Sequence, residues 1–233
     1  MAKVMSKEAA FWLGGYDLAE DTTNLEIASL CGDLESTTMP QAAQRFIAGN
    51  FSGEFSHDGL FDDRAGGINV AGAALIGTTP VVTVAVEDVA GKRAMSGLVL
   101  HTAYTTPATL GGLIVARITG VTDNKVEIAL VLQEKVAKTG NFDSASVNNN
   151  GSSANGGVGF LHVFAANGTA DVVIEESPDD GVEPFATKLT FAQFSGISSE
   201  RVSVSGTVEQ YLRVALTLGT ATSVTYAVTF ARG

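Results

Sequence analysis

Apolar and polar side chains alternate along most of this chain. The clearest cases are Val202–Val208, Leu212–Leu218 and Val224–Phe230, where apolar residues recur with a period of two. Similar patterns occur at Phe51–His57, Val81–Val86, Ala94–Leu100, Leu113–Ile118 and Val126–Leu132. Because successive side chains of a strand point to opposite faces, this period places the apolar set on one face. The pattern predicts an all-β protein whose half-buried strands pack on a core.

One segment departs from this pattern. Ile68, Leu75 and their apolar neighbours within Arg64–Ile76 have helical spacing, which predicts one short helix. Asp62 and Asp63 precede the segment as candidate N-caps, and Gly77 follows it as a natural C′ residue. Glycines inside the segment weaken its helix propensity.

Two short segments predict tight turns between strands. Gly14 and Gly15 lie at the centre of Phe11–Leu18, which predicts a hairpin. Thr122–Asn124 separates two alternating stretches, so we expect a second hairpin turn there.

The composition changes over Ser144–Gly157, which reads SASVNNNGSSANGG. Asn, Ser and Gly bury little apolar surface and favour loops. We therefore predict three parts: a β domain at 1–145, a linker at 146–157 and a small β-sandwich at 158–233. The expected fold class is all-β, with a barrel-forming or sandwich sheet, one short helix and a second sandwich.

Composition and charge exclude several classes of protein. Hydrophobic residues make up 45% of the 233 and charged residues 17%, so we expect more apolar surface than a monomer needs. The net charge of −11 argues against nucleic-acid binding through phosphate contacts and against adhesion to anionic membranes. The single cysteine, Cys31, excludes an internal disulfide framework. The N-terminus shows no secretory signal, so we expect the chain to fold in a reducing cytoplasm.

The sequence contains no recognised catalytic motif. Walker A, dinucleotide-binding, HExxH, CxxC and GxSxG patterns are all missing. His57 and Asp58 could form a triad with one of many serines, but His57, His101 and His162 are better interpreted as residues on separate strand faces. We expect no enzymatic activity and no cofactor.

Two acidic clusters are the candidates for metal binding. Asp58, Asp62 and Asp63 form one, and Asp179, Asp180 and Glu183 form the other; both groups supply the oxygen ligands that Ca²⁺ takes. Neither has the spacing of a known calcium loop, and turn or cap carboxylates explain both clusters more simply. We expect no metal site.

The first part of the chain resembles tail tube (major tail) proteins of long-tailed, siphophage-like bacteriophages. The resemblance is carried by LGGYDLAEDTTNLEIASLCGDLESTTM from Leu13, by QRFIAGNFSGEFSHDGLFDD up to Asp63, and by the order of the elements that follow. It covers roughly residues 1–145. The last part resembles a small β-sandwich module common in virion proteins.

This resemblance implies a structural virion protein located in the tail and assembled in the host bacterial cytoplasm. Such subunits associate with themselves into six-fold rings, stack into a tube and contact other tail proteins, while DNA passes without specific binding. Acidic side chains facing the lumen would repel DNA during ejection. Glu54, Glu87 and Glu127, on polar faces of predicted strands, are the candidate lumen-facing residues.

Two alternatives remain open from the sequence. One is a capsid decoration or other accessory virion protein. The other is a carbohydrate-binding β-sandwich protein, which would need a cluster of exposed aromatic residues. The candidates in the last part are Phe185, Phe191, Phe194, Tyr211 and Tyr226.

Overall fold

The computed structural model describes residues 9–28, 30–35, 46–108 and 112–233. These residues form one α-helix, α1 (Ile68–Leu75), and seventeen strands: β1 (Ala10–Leu13), β2 (Tyr16–Asp17), β3 (Thr22–Ile27), β4 (Leu30–Glu35), β5 (Phe46–Ser52), β6 (Glu54–Leu60), β7 (Val81–Ala85), β8 (Arg93–Thr105), β9 (Val115–Lys138), β10 (Phe142–Asp143), β11 (Val147–Asn148), β12 (Gly157–Ala166), β13 (Ala170–Ser177), β14 (Ala186–Thr190), β15 (Ser198–Val204), β16 (Tyr211–Leu218) and β17 (Val224–Arg232). The predicted fold class, all-β with one short helix, is confirmed. None of the described residues forms a helix long and apolar enough to cross a membrane.

A ten-stranded antiparallel sheet organises the molecule. Its main path runs β15-β12-β17-β9-β8-β7-β1-β2, and β6 adds to the first half of β9 with β3 beside it. A five-stranded sheet, β10-β16-β13-β14 with β11, packs over the end of the large sheet that is formed by β12, β15 and β17. The two strands β4 and β5 form a separate antiparallel pair. The large sheet curls, so that His162 of β12 reaches Trp12 of β1, with 5.5 Å between ring centroids.

Three hydrophobic clusters hold these layers together. The largest lies between the five-stranded sheet and β12, β17 and β9, and includes Ile174 and Phe230. The second fills the concave side of the curled sheet around Trp12 and Phe160. The third lies between α1, β6 and the opposite side of β1 and β7. Trp12 is completely buried and is therefore a core residue.

A chain of buried hydroxyl groups crosses the interior of the curled sheet. His162 Nε2 is 2.9 Å from Thr83 Oγ1, Thr83 Oγ1 is 2.9 Å from Ser96 Oγ, and Ser96 Oγ is 2.9 Å from Thr229 Oγ1. These four residues lie on β12, β7, β8 and β17. The three hydroxyls are all paired, although His162 Nδ1 is buried without a hydrogen bond, and paired buried polar groups favour one arrangement of strands over alternatives.

The helix is confirmed within the predicted segment, but its N-terminus is capped differently. The helix begins after Gly67, which occupies the N-cap position and has no side chain that could accept a hydrogen bond from the first helical amides. Asp21 accepts a hydrogen bond from the Ile68 amide instead, at 3.1 Å, while Asp62 accepts one from the Arg64 amide. Asp21 is remote in sequence, whereas the local pattern predicts the nearer carboxylates Asp62 and Asp63 as caps. Gly77 follows the helix with φ of 75°, as predicted for a C′ residue.

One predicted turn is confirmed and the other is wrong. Trp12 pairs with Asp17 around Gly14 and Gly15, both with positive φ, which forms the expected hairpin. Thr122–Asn124 does not reverse the chain but lies inside the single long strand β9. The pairing of β9 with β8 shifts register there, and Asn124 has φ of 82°, which is typical of a bulge. β8 pairs with β9 on both sides of the bulge, and these contacts keep the strand continuous.

The predicted linker at 146–157 contacts the rest of the chain. Val147 is buried and pairs with Leu212, and Ser153 pairs with Val208. Beyond it, β17 pairs with β9, so strands from 1–145 and 158–233 share the large sheet. The division into a domain at 1–145 and a sandwich at 158–233 stays a prediction about folding, and these contacts lead us to expect mutual dependence of the two parts.

Candidate assembly surface

The histidines lie in the interior of the molecule. His57, His101 and His162 occupy β6, β8 and β12, and all three are buried. Burial lowers the pKa of His57 to about 4 and that of His162 to about 3, so both are neutral near pH 7. His57 Nε2 lies 2.9 Å from the hydroxyl of Thr22. The imidazole ring of His57 therefore packs beside the third hydrophobic cluster and does not lie in an open site.

Asp58 points away from His57, as adjacent residues of a strand do. Both of its carboxylate oxygens accept hydrogen bonds from Arg117, at 2.5 and 3.0 Å. The hydrogen bond from Arg117 is the main cause of the lowered pKa of Asp58. The triad that His57 and Asp58 suggested is therefore not assembled among the described residues.

Members of both acidic clusters make structural contacts close to them in sequence. Asp62 binds Arg64, with 3.0 Å between Oδ2 and Nε. Asp179 accepts a hydrogen bond from the Glu183 amide at 2.9 Å. Over the described ranges, no three His, Cys, Asp or Glu side chains converge in a way that would hold a metal ion.

The three candidate lumen-facing carboxylates lie at different places. Glu54 is exposed on β6 opposite Val121 of β9. Glu87 follows β7 and pairs with Lys92 at 2.9 Å. Glu127 lies further along β9, past the bulge, and pairs with Lys125 at 3.2 Å. Their orientation towards a lumen stays a prediction.

Register places Glu54 within a larger charged surface. Glu26 lies opposite Ser56, and Arg117 lies opposite Asp58, so these residues share one face of β3, β6 and the first half of β9. We call Glu26, Glu54, Asp58 and Arg117 the acidic face. Three carboxylates and one guanidinium give it a net charge of −2 per subunit. The opposite face carries buried residues such as Phe55 and Ile118.

A second surface is apolar. Leu60 ends β6 and Phe61 follows it, while Leu113 and Ile114 precede β9, so the two pairs lie side by side. The Phe61 amide donates to the Ile114 carbonyl at 3.0 Å. All four side chains are exposed, Leu113 by 73%. We call these residues the apolar end.

Aromatic residues of the last part are largely withdrawn from solvent. Phe191, Phe194 and Tyr226 are buried in the largest cluster. Phe185 lies under the guanidinium of Arg213, 4.4 Å from the ring centroid. Among the residues that the structure describes, those named for sugar stacking therefore do not form an exposed aromatic cluster.

Sequence reasoning missed most members of both surfaces. Glu26 and Asp58 join Glu54 only through strand register, which alternation within one strand does not reveal. The apolar end did leave a signal: Leu60-Phe61 and Leu113-Ile114 are consecutive apolar pairs, and the second pair departs from the alternation predicted over Leu113–Ile118.

No family model and no curated protein matches the sequence. Among solved structures, the chain is similar to one in the tail of an empty gene transfer agent (GTA) particle with C6 symmetry, at 14% identity and a TM-score of 0.39, over 46% of this chain and 80% of that one. It is similar to one in the virion of the native gene transfer agent, at 13% and 0.46, over 55% and 98%. It is also similar to the Dit protein of phage SPP1, at 11% and 0.37, over 96% and 98%. At these identities and TM-scores the likenesses do not establish a family.

Proposed function

We propose that this chain is a non-enzymatic structural subunit of a phage tail tube. Copies associate into rings, which we take to be hexameric, and the rings stack into a conduit through which DNA is ejected. The subunit contacts other tail proteins and belongs to the virion tail, after assembly in the host bacterial cytoplasm. The sequence resemblance over residues 1–145 supports the family, and the apolar end is the observation that carries self-association.

The apolar end is costly in a monomer. Its four large side chains are exposed at one end of the β6–β9 pair, and clustered exposed apolar residues mark surfaces that bind other proteins. Complete burial of a fully exposed side chain of this size contributes about 1.5–3 kcal/mol, and these side chains, which are 38–73% exposed, would contribute roughly half of that each. Repetition of this contact around a ring makes the assembly cooperative.

The pairing of β4 with β5 also favours association. The two strands pair antiparallel, with Leu34 opposite Ile47, and among the described strands they pair only with each other. A two-stranded ribbon is marginally stable alone, and its outer edges are open to further strands. A neighbouring subunit that added a strand there would stabilise the ribbon.

The acidic face supports the conduit. Its net charge of −2 would be repeated by every subunit of a ring, which gives an annulus of negative charge if the face lines the axis. Like charge repels phosphates and prevents the counter-ion release that drives nucleic-acid binding. DNA would then pass without being retained.

The assembly test removes the apolar end. We expect the wild-type protein to form hollow rings or tubes by negative-stain electron microscopy, and the double variant Phe61→Ser, Leu113→Ser to remain monomeric in sedimentation velocity. Ile197→Ser, at a side chain 51% exposed elsewhere, is the matched control and should assemble normally. A wild-type protein that stays monomeric at high concentration would refute the proposal, and double-variant tubes would refute the role of the apolar end.

The conduit test reverses the acidic face. Tubes of the variant Glu26→Lys, Glu54→Lys should retain duplex DNA on a filter at low salt and release it as salt rises. Wild-type tubes and tubes of Asp171→Lys, a carboxylate on β13 away from this face, should retain none. Retention of DNA by wild-type tubes at physiological salt would contradict a repelling conduit.

A further inference from the structure

A groove lies where the first half of the chain meets the five-stranded sheet. It has a volume of about 330 Å³ and lies between β9, the segment around Asn148–Asn150 and the end of β17. Arg93 and Arg232 contribute its positive charge, while Ile128 and Phe230 form part of its apolar wall. None of the described residues that line it carries a carboxylate. The lining of this groove is thus basic although the chain has a net charge of −11.

The two arginines of the groove differ in their partners: the nearby carboxylates of Glu176 and Glu209 attract Arg232, whereas Arg93 has no ion pair among the described residues. Arg232 donates to the carbonyls of Val208 and Glu209, at 2.6 and 2.7 Å, and its Nε is buried without a hydrogen bond. The Nδ2 atom of Asn149 is also buried without a hydrogen bond. Arg93 is exposed. Arg232 Nε and Asn149 Nδ2 are closed to a partner by their burial, so the exposed guanidinium of Arg93 is the donor that acceptor oxygens of a partner can reach.

The apolar wall is open as well. Ile128 is 65% exposed although it lies in the middle of β9. Ile128 belongs neither to the largest hydrophobic cluster nor to the third one, so neither cluster covers its side chain. The groove thus combines positive charge, hydrogen-bond donors and an uncovered apolar side chain, which together select an acidic partner with an apolar residue.

The chain itself carries a segment with these properties. After β13, the acidic turn Asp179–Glu183 presents Val182, which is 87% exposed and so does not lie in the groove of its own chain. Asp180 and Glu183 flank this valine. The charges and the exposed valine complement the groove, because carboxylates would meet arginines and Val182 would meet Ile128.

The turn is preorganised for such a contact. The Glu183 amide donates to Asp179 at 2.9 Å, and the Gly181 amide donates to the Ser177 hydroxyl at 3.1 Å. The Ser146 hydroxyl donates to Asp180, which fixes the turn to the segment that continues into the groove wall. A fixed turn loses little conformational freedom on binding.

We propose that the acidic turn Asp179–Glu183 of one copy docks into the Arg93 groove of a second copy. This inference rests on the proposed self-association and names one contact within it. Each chain supplies one turn and one groove, so the contact can be repeated from copy to copy and can close a ring or extend a filament.

The test exchanges charges between turn and groove. Arg93→Glu and Glu183→Arg should each weaken self-association by at least about tenfold in sedimentation equilibrium, because like charges are then opposed. An equimolar mixture of these two single variants should recover wild-type association, since the glutamate of one groove meets the arginine of the other turn and the remaining groove and turn are native. Arg201→Glu and Asp171→Arg make the same charge changes elsewhere and should leave association unchanged.

The outcomes separate this contact from the proposed function. Recovery in the mixture supports the contact, because damage to folding in one variant would not be repaired by the other. If the single variants associate normally, or if the mixture does not recover, the contact is refuted. Rings that form despite that result leave the tail tube proposal standing. Charge-sensitive association without rings or tubes would instead support the contact and refute the tube.

Discussion

The strongest test of the fold concerns whether its two parts unfold together. Ile174 lies on β13, is completely buried and pairs with Val214 and Leu189, all within 158–233. Ile174→Ala removes three carbon atoms, a loss of about 2.4 kcal/mol at about 0.8 kcal/mol per methylene. The remaining cavity adds to this loss, so we expect a total of about 3 kcal/mol, within the range for such changes.

Hydrogen exchange distinguishes cooperative from separate unfolding. If the shared sheet makes the chain one unit, the slowest amides of β7 and β8 exchange through the same global opening as those of β13. A loss of about 3 kcal/mol then accelerates both sets by about 100-fold, since 1.36 kcal/mol is tenfold. Exchange of peptides from β7, β8 and β13 should be followed by mass spectrometry under native conditions.

The reciprocal variant completes this test. Val99→Ala, in the third cluster, should likewise accelerate exchange in β13 although it lies in 1–145. If Ile174→Ala accelerates only β13 and β16 and leaves β7 and β8 unchanged, the expectation of mutual dependence is refuted. In that case the predicted division at 146–157 describes two separately folding units.

Two further predictions concern buried groups. The folded-state pKa values of His57 and His162 lie near 4 and 3, well below 6.5. As pH falls from 6.5 towards 4, the unfolded chain therefore binds more protons than the folded chain does. The free energy of unfolding should be greatest above pH 6.5 and should decrease below it by up to about 1.4 kcal/mol per pH unit for each histidine. A urea midpoint that does not change between pH 7 and pH 5 would contradict this. Gly72→Ala should lower the free energy of unfolding by about 1–3 kcal/mol, because the new Cβ would lie 2.3 Å from the ring of Tyr104. This clash outweighs the better helix propensity of alanine. Ala73→Gly, at an exposed position of the same helix, measures the effect of helix propensity without the steric clash. A Gly72→Ala variant that is more stable than the wild type would refute the clash.

The sequence by itself determined the local structure. Period-two alternation identified most strands, since it fixes which side chains of a strand share a face. Gly14 and Gly15 determined the first hairpin because both adopt positive φ. The helix was predicted within Arg64–Ile76 because the apolar spacing changes there. Each of these features depends on residues a few positions apart.

Only the tertiary structure decided which strands are neighbours. Thr122–Asn124 has turn composition, yet pairing with β8 on both sides keeps β9 continuous. Asp21 caps the helix from 47 positions away, and β17 joins the sheet beside β9. The acidic face and the Arg93 groove arise from the same long-range choices. Alternation predicts that a strand has a buried face. Which other strand or sheet buries that face depends on the free energy of the complete folded structure relative to other packings of the same strands.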